Sequence, residues 1–481
     1  MKKVFAYIFI GILAVSTVSC NKFLDKAPIL SQSTDLTLSS YDGLNKSVIG
    51  AYSLLASATW YGGERVLESE MRSGNGIKDA SHNSNRYSTQ MNWNYSPDAT
   101  SELWSSAYVT ISRANNVIDN LEGKDKDGVT AQDLDNLKAE CLFIRALAHF
   151  DLVTLYAQPY SYATSAAANE KAKLGVPYVY HTDPTGKPAR ESVADTYAKV
   201  VDDLLQAESL IDPFYTRSGV GSEKAVVSIY AIQALLSRVY LYMGKWQDAA
   251  NYATKVIESQ EYTLYDINNY TSSWNGVKGG SEVIFEAFVD INNRDNTGCP
   301  YMTNPNGSYG DCIVSPELVG LYEPGDVRLA MFAPDKDNTP GLLWTTKYLG
   351  KGVGQPEANN VPILRLSEMY LNRAEAIVKG AVIPGASAMG DLTAITSNRG
   401  ASAYAAAGME AIKAERRKEL AWEGHYFFDL ARWNDSVVRP ASWNLNPDYQ
   451  NIPFPSYRWA LPLPKGELEV NENLVQNDQY K

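Results

Sequence analysis

The clearest periodic pattern in the chain runs over residues 226–259, where apolar side chains recur three and four positions apart. Such spacing places them on one face of an α-helix. Gly244 interrupts the pattern, and a glycine can adopt the left-handed conformation that ends a helix. A second stripe begins at once, so two antiparallel neighbouring helices are predicted. The two stripes consist of Ile232, Leu235, Leu236, Val239, Tyr240 and Met243, and of Trp246, Ala249, Ala250, Ala253 and Ile257.

The order of large and small residues in this hairpin fits the tetratricopeptide pattern. Tyr240, Gly244, Trp246 and Ala249 supply those positions, and the small ones let the paired helices approach each other. One hairpin cannot bury its own apolar face. Partner helices are therefore expected elsewhere in the chain.

Comparable stripes predict those partners. Ser40 and Ser192 precede two of them and are suited to cap a helix N-terminus. The longest predicted helix covers residues 132–157, and a fourth hairpin is expected near the C-terminus, split by the Ala- and Gly-rich residues 379–408. The stripes are Leu44, Val48, Tyr52 and Leu55; Trp104, Tyr108, Ile111, Ile118 and Leu121; Tyr197, Val201, Leu204 and Ile211; Leu366, Tyr370, Ala374 and Ile377; and Leu420, Phe427, Phe428 and Ala431.

The remaining pattern predicts a mostly α-helical protein with long loops and little β structure. Residues 283–289 form the only convincing strand-like run, and residues 434–481 are expected to be an ordered coil that wraps the helices. Arg145 lies on the apolar stripe of the longest helix. Burying its charge without a partner would cost several kcal/mol, so we expect a carboxylate from a neighbouring helix to pair with it.

Two long segments are too aromatic to be simple connections. They cover residues 60–95 and 270–309, and 11% of the whole chain is aromatic. Unstructured connections of that length are usually functional. Flat rings pack against the C–H faces of sugars, while amide and guanidinium groups match neighbouring hydroxyls. The predicted binding platform is formed by Tyr87, Trp93, Trp274 and Tyr301, with Asn83 and Arg86 at its edge.

The N-terminus has the layout of an export signal. Lys2 and Lys3 precede twelve mostly apolar residues, and Cys20 follows the small Ser19. The apolar run is too short to span a bilayer, which takes about 20 residues. We expect cleavage before Cys20, acylation of that cysteine and anchoring to a membrane by the lipid, with residues 20–40 as a tether.

The net charge and the absence of known motifs argue against several classes of function. The formal net charge of −12 argues against a nucleic-acid partner. Histidine and cysteine spacings typical of zinc sites are absent from the sequence, and no nucleotide-binding loop or serine-nucleophile motif is present. No cofactor, metal or catalytic residue is therefore predicted. Cys299 and Cys312 are close enough in sequence to form a disulfide in an exported protein, or to remain two free thiols.

Short motifs spread over the mature chain resemble the SusD/RagB family of Bacteroidetes surface lipoproteins. They are Cys20 followed by KFLD at 22–25, AECLFIRA at 139–146, FDLV at 150–153, ALLSRVYLY at 234–242, DVR at 326–328, LNRAEA at 371–376, ERRKELAWEG at 415–424, DLARW at 429–433, LPLP at 461–464, and Glu467, Asn473, Gln476, Asn477 and Tyr480. In these motifs Arg145, Arg373, Arg416, Glu419 and Glu423 lie on or beside apolar helix faces, so we expect them to form ion pairs between helices.

The resemblance implies a SusD-like fold of about four tetratricopeptide-like helix pairs and a binding surface built from variable loops. It also implies a lipid anchor in the outer membrane, with the protein facing the cell exterior, and a SusC-like TonB-dependent porin as partner. The expected division is a signal peptide at 1–19, a lipidated tether at 20–40, an N-terminal helical region at 41–260 that carries binding loops, and a C-terminal region at 261–481. The expected function is capture of oligosaccharides. Two alternatives stay open: peptide capture, which RagB-type relatives permit, and glycan hydrolysis, for which no carboxylate pair stands out.

Overall fold

The computed structural model describes residues 37–78, 85–124, 128–217, 221–274, 276, 279–290, 299–306, 308–350, 358–443 and 445–480. The predicted signal peptide, Cys20, most of the tether and Asn83 lie outside the described residues. Helices of eight or more residues in these ranges are α1 (Tyr41–Leu55), α2 (Glu64–Ser73), α3 (Leu103–Ile118), α4 (Ala131–Tyr156), α5 (Val193–Leu210), α6 (Ile229–Tyr242), α7 (Trp246–Glu258), α8 (Leu366–Val378), α9 (Ala388–Arg399), α10 (Met409–Glu419) and α11 (Tyr426–Trp433).

The helices pack in a regular succession. α1 packs on α3, α3 on α4, α4 on α5, α6 on α7, and α7 on α8, which also contacts α9 and α10. The predicted hairpin is confirmed as α6 and α7. Gly244 takes the left-handed conformation between them with φ 69°, and Ala249, Ala250 and Ala253 are completely buried. Small residues thus let these helices approach, as the tetratricopeptide pattern predicts.

The fourth pair differs from the prediction. The Ala- and Gly-rich residues 379–408 are not a loop, because they contain α9, which packs against α8. Ser387 caps this helix by accepting a hydrogen bond from the Gly390 N–H at 3.0 Å. Leu392 and Ile395 then bury their side chains against Leu371 of α8. Two apolar residues one turn apart are a weak stripe, and the sequence therefore gave no clear sign of this helix.

The prediction of a loop over residues 60–95 is also wrong in part, because α2 occupies its first half. Residues 65–73 are all buried, including their charged side chains. Arg65 pairs with Asp151 of α4 at 2.9 Å, and the Arg72 guanidinium lies 3.9 Å from the centre of the Phe427 ring on α11. The helix is only ten residues long, and Val66, Leu67 and Met71 are its only apolar residues, so its apolar stripe is short and charged residues dominate the sequence.

Short elements connect the helices. The described strands form antiparallel pairs: β1 (Gly76–Lys78) with β3 (Cys312–Val314), β2 (Val283–Ala287) with β6 (Val361–Arg365), β4 (Phe332–Ala333) with β5 (Trp344–Thr345), and β7 (Val437–Val438) with β8 (Asn451–Ile452). The predicted strand is confirmed as β2. Short helices cover Ser88–Asn92, Tyr160–Ala163, Tyr270–Ser273, Cys299–Met302, Pro316–Val319, Pro447–Gln450 and Lys465–Val470, and 3₁₀ turns cover Glu223–Ala225, Val327–Met331, Ala441–Trp443 and Tyr457–Trp459.

Buried ion pairs join the helices, as the sequence predicts. Arg145 pairs with Asp203 of α5 at 2.7 Å, Arg373 with Asp391 at 2.6 Å, and Arg416 with Asp429 at 3.1 Å. Glu419 contacts Arg328, Arg365 and Arg399, and Glu423 contacts Lys347 and Arg365. Burial opposes ionisation of Glu419, but the guanidinium groups of Arg399 and Arg365 outweigh it and hold its pKa well below the ordinary value.

The C-terminal segment lies along the helices, as predicted. The Leu461 N–H donates to the Leu155 carbonyl at 2.8 Å, and Asn477 Nδ2 donates to the Tyr156 carbonyl at 2.8 Å. These bonds fasten the tail to the end of α4. Among the helices that the structure describes, none combines the length and the apolar character needed to cross a bilayer.

Candidate functional site

The two aromatic segments meet on one surface. β1 belongs to the first segment and pairs with β3, which directly follows the second, with Lys78 opposite Cys312. A second link joins them where the Cys299 N–H donates to the Gly62 carbonyl at 2.6 Å. Arg86 then reaches across and pairs with Asp311 at 3.0 Å. The prediction that both segments contribute to one surface therefore has a structural basis.

The meeting point is formed by three residues, which we call the Arg86 surface: Arg86, Tyr309 and Asp311. The Arg86 guanidinium lies 3.6 Å from the centre of the Tyr309 ring, a distance typical of a cation–π contact. Tyr309 is 44% exposed, whereas the Asp311 side chain is fully buried. A buried carboxylate thus fixes a guanidinium, and the guanidinium supports an exposed flat ring.

Gly310 explains how adjacent residues reach opposite environments. Its φ is 60°, and a Cβ atom placed there would lie 2.7 Å from the Pro305 Cα. Only glycine fits such a position without strain. The turn at Gly310 therefore lets Tyr309 face solvent while Asp311 is buried. Tyr309 and Asp311 were not among the predicted site residues, although an aromatic residue, a glycine and a carboxylate in succession are a usable signal for such a turn.

Tyr301 and Tyr87 are two further predicted site residues. The backbone of Tyr301 lies in the short helix Cys299–Met302, and its side chain is outside the described part of the structure. Tyr87 adopts a left-handed conformation with φ 57° before the helix Ser88–Asn92 and packs against the core. Burial raises the pKa of its hydroxyl well above the ordinary value. Tyr87 therefore contributes to the packing of its loop against the core.

Trp93 and Trp274 are corrections, because neither is on an exposed platform. Trp93 is 2% exposed, and its indole N–H donates to the Arg72 carbonyl at 3.1 Å. Trp274 is 7% exposed, with the Lys347 ammonium 4.2 Å from its ring centre. An aromatic ring in a long segment can pack inside the fold or stack on a ligand, and sequence alone does not separate the two roles.

The possible disulfide between Cys299 and Cys312 is absent. Both residues are buried free thiols. The Cys299 thiol donates to the Gly63 carbonyl at 3.8 Å, while Cys312 lies within the β1–β3 pair. Burial raises the pKa of both thiols, so each is poorly suited to oxidation.

Cavities also lie elsewhere in the described part of the structure. A cavity of about 310 Å³ lies near the opposite end of the β1–β3 pair, beside Gly74 and Trp443. The Trp443 indole N–H donates to Glu317 at 3.2 Å. A larger cavity of about 890 Å³, which we call the aromatic pocket, lies between α3, residues 177–188 and residues 467–474. The sequence indicated neither cavity, since each combines residues far apart in the chain.

Metal chemistry has no support in the described residues, where no group of three or more His, Cys, Asp or Glu side chains is arranged to hold an ion. The Arg86 surface offers a ring face, a guanidinium edge and a carboxylate that is already paired. Such a set suits reversible binding of a neutral polar ligand.

Two family models and a curated relative match this chain. A family model described as "Starch-binding associating with outer membrane" matches residues 22–241, and a SusD family model matches residues 329–480. The SusD-like protein P25 of Formosa agariphila is 24% identical in an alignment that covers 99% of this chain and 98% of P25.

Solved structures share the fold. A SusD superfamily protein from Bacteroides thetaiotaomicron matches with a TM-score of 0.81 and 30% identity over 92% of this chain and 100% of that one. A surface glycan-binding protein A from Bacteroides thetaiotaomicron, solved with laminarihexaose, matches with a TM-score of 0.72 and 21% identity over 91% of this chain and 99% of that one, a likeness of fold alone. On the family models and the 30% identical structure, this chain belongs to the SusD family.

Proposed function

We propose that this protein captures oligosaccharides at the Arg86 surface, outside the cell, and delivers them to a SusC-like TonB-dependent porin in the outer membrane. The protein binds its ligand without chemical change and requires no cofactor. A lipid on Cys20 holds it at the membrane, and the tether that follows lets the helical scaffold reach ligand.

One observation carries the proposal: an exposed tyrosine ring rests on a guanidinium that a buried carboxylate fixes in place. An exposed tyrosine ring suits the C–H face of a pyranose, and the edge of a guanidinium suits two adjacent hydroxyls. Because Arg86 and Tyr309 are oriented before ligand arrives, little side-chain entropy is lost on binding.

Relatives support the choice of ligand. The family model that matches the N-terminal half is described as starch-binding, and a protein of the same fold is solved with laminarihexaose. These descriptions belong to those proteins. They make a glycan the first ligand to test here, ahead of a peptide.

The test is a calorimetric screen of the purified protein against maltohexaose, laminarihexaose, xylohexaose and a set of unstructured peptides. We expect saturable binding of at least one glycan, with the glycan recovered intact. Binding of peptides alone would favour the peptide alternative. Release of new reducing ends would identify a hydrolase and contradict the proposal.

Delivery needs its own experiment, because a tethered binder has no route for moving ligand across the membrane. Pull-down of the lipidated protein from gently solubilised outer membrane is expected to recover a large β-barrel protein in near-equal amount. A Cys20→Ala variant, added to the same extract, controls for the contribution of the anchor. Recovery of the binder alone under these conditions would contradict the partnership.

A further inference from the structure

We infer that the aromatic pocket is a second glycan-binding site, which takes a short uncharged oligosaccharide. The inference shares the ligand class of the proposed function but does not rest on the Arg86 surface. The pocket has a volume of about 890 Å³, within the range of about 300–1,000 Å³ found for ligand sites.

Two elements supply its aromatic lining. Trp104 and Tyr108 lie one turn apart on α3, with ring centres 4.9 Å apart. Tyr178 and Tyr180 come from the extended segment opposite, with ring centres 5.0 Å apart. All four line the pocket. Tyr108 and Tyr180 are partly exposed and present ring surface to the pocket, whereas Trp104 is 2% and Tyr178 6% exposed, and these two rings back the exposed ones inside the fold.

The tyrosine hydroxyls at the base of the pocket are already engaged. Tyr108 donates to the Pro177 carbonyl at 2.8 Å, and Tyr178 donates to Asp203 at 2.6 Å. These bonds fix the rings in position, so the pocket presents apolar ring surface rather than hydroxyls. Val470 adds to that surface and is 66% exposed, an unusual exposure for an apolar side chain that lines a cavity.

The rim provides polar groups of both signs. His181, Asp183, Lys187 and Glu467 line the pocket, and His181 is bonded to Asp119 at 2.8 Å. The rim carries one ammonium, that of Lys187, and two carboxylates, those of Asp183 and Glu467, so it disfavours an anionic ligand. Carboxylate, ammonium and imidazole groups do suit hydroxyls as hydrogen-bond partners. A ligand with a flat apolar face and a hydroxylated edge therefore matches both parts of the pocket.

The walls are held together before any ligand binds. Arg190 is 8% exposed and bridges the two sides, donating to the Gly175 carbonyl at 2.6 Å and to Asn477 Oδ1 at 2.8 Å. Asn471 Nδ2 donates to the Pro188 carbonyl at 2.9 Å. Because these hydrogen bonds already hold the walls in place, little conformational entropy of the protein is lost when a ligand binds.

A peptide strand is a poorer fit, because part of the backbone of the extended wall is already hydrogen-bonded within the protein. Besides the Pro177 carbonyl, the Val179 N–H donates to His149 at 3.1 Å, and the Val179 carbonyl accepts from Asn115 at 3.0 Å. The Tyr180 carbonyl accepts from Arg145 at 3.3 Å. Pairing with an added strand needs such groups unoccupied. A proline-rich peptide, which binds aromatic grooves through its side chains, remains an outcome of the test.

The test uses ¹⁹F NMR of the protein labelled with 5-fluorotryptophan, in the Tyr309→Ala background, in which binding at the Arg86 surface is weakened. The Trp104 resonance is assigned by its loss in Trp104→Phe. We expect maltohexaose, laminarihexaose or xylohexaose to shift this resonance in a saturable manner. Tyr180→Ala is expected to weaken that binding about tenfold, the effect of losing one stacked ring.

A matched pair of surface variants guards against misfolding. Val470→Asp places a charge in the pocket and is expected to weaken binding severalfold, while Val475→Asp, 45% exposed and outside the lining, leaves it unchanged. A Trp104 resonance that no glycan moves, while the unmodified protein binds glycan, would overturn the second site and leave the proposed function intact. A shift caused only by a proline-rich peptide would overturn the ligand class.

Discussion

Arg145 on α4 and Asp203 on α5 form a two-pronged ion pair, in which Nε and Nη2 of the arginine each donate to one carboxylate oxygen at 2.7 Å. Both side chains are buried. The same carboxylate accepts the Tyr178 hydroxyl, and the same guanidinium donates to Asn115 of α3. One ion pair therefore joins three consecutive helices and the extended segment that lines the aromatic pocket.

We predict that Asp203→Ala lowers the free energy of unfolding by about 3–5 kcal/mol, because it leaves the Arg145 charge buried without its partner. Urea denaturation followed by circular dichroism measures the change. Asp42→Ala is the control, since its pair with Lys46 is more than two-thirds exposed and contributes roughly 1 kcal/mol or less. Equal effects from the two variants would contradict the role given to the buried pair.

Stability should also depend on the protonation of Glu64. Burial, and then the nearby Glu68 carboxylate, raise the pKa of Glu64 from 4.5 to about 8. Between those values the folded protein binds a proton that the unfolded chain does not. Its contribution to stability is therefore largest at acidic pH and is lost as the pH rises through 8.

Glu64→Gln is expected to remove this loss, since the amide oxygen can still accept from the Ser101 hydroxyl and the Glu102 N–H. We predict that the variant is more stable than the unmodified protein by about 1–2 kcal/mol at pH 9, after allowance for partial exposure, and nearly equal to it at pH 4. Thermal unfolding at both pH values measures the difference. The exposed Glu122, changed to Gln, is the control. A Glu64→Gln effect that does not vary with pH would contradict the assignment.

The close approach of α6 and α7 gives a further prediction. Ala249 is completely buried, and its carbonyl accepts the Ser237 hydroxyl at 3.0 Å across the helix pair. Ala249→Leu should destabilise the protein by about 1–3 kcal/mol, because the added atoms have no space. Ala406→Leu makes the same change at an exposed position and should have little effect. A melting temperature unaltered by Ala249→Leu would argue against close packing.

Most of the long helices could be predicted from the sequence. The stripes of α1, α3, α4, α5, α6, α7 and α8 were predictable because their buried faces are apolar. So was the carboxylate partner of Arg145, since a charge on such a stripe requires one. α2 was not predictable in the same way. Its buried Arg65 and Arg72 are stabilised by residues more than eighty positions away in sequence.

The proposed site could be predicted only as a region. Both aromatic segments do meet, and Arg86 lies at their junction. The choice of rings failed because exposure depends on the whole fold: Trp93 and Trp274 fill the interior, whereas Tyr309 is turned outward at Gly310. The aromatic pocket could not be predicted from the sequence, because its lining joins α3 to residues near the C-terminus.

Anchoring stays a prediction, because Cys20 lies outside the part of the chain that the structure describes. Cys20→Ala should move the protein from the membrane fraction to the soluble fraction while its circular dichroism spectrum stays the same. Mass spectrometry of the unmodified protein should find a mature N-terminus at an acylated Cys20. Any other N-terminus, or a Cys20 without lipid, would contradict the prediction.

The most direct test of the central claim compares glycan affinity before and after removal of the exposed ring of the Arg86 surface. Tyr309→Ala should raise the Kd for the best glycan of the screen about tenfold at that site, because one stacked ring contributes about 1–1.5 kcal/mol. Phe214→Ala, which removes a ring that is 89% exposed on another loop, should leave the Kd unchanged. Calorimetry on the two variants, each with an unaltered circular dichroism spectrum, gives the answer. An unchanged Kd in Tyr309→Ala, or an equal loss in both variants, would contradict capture at the Arg86 surface.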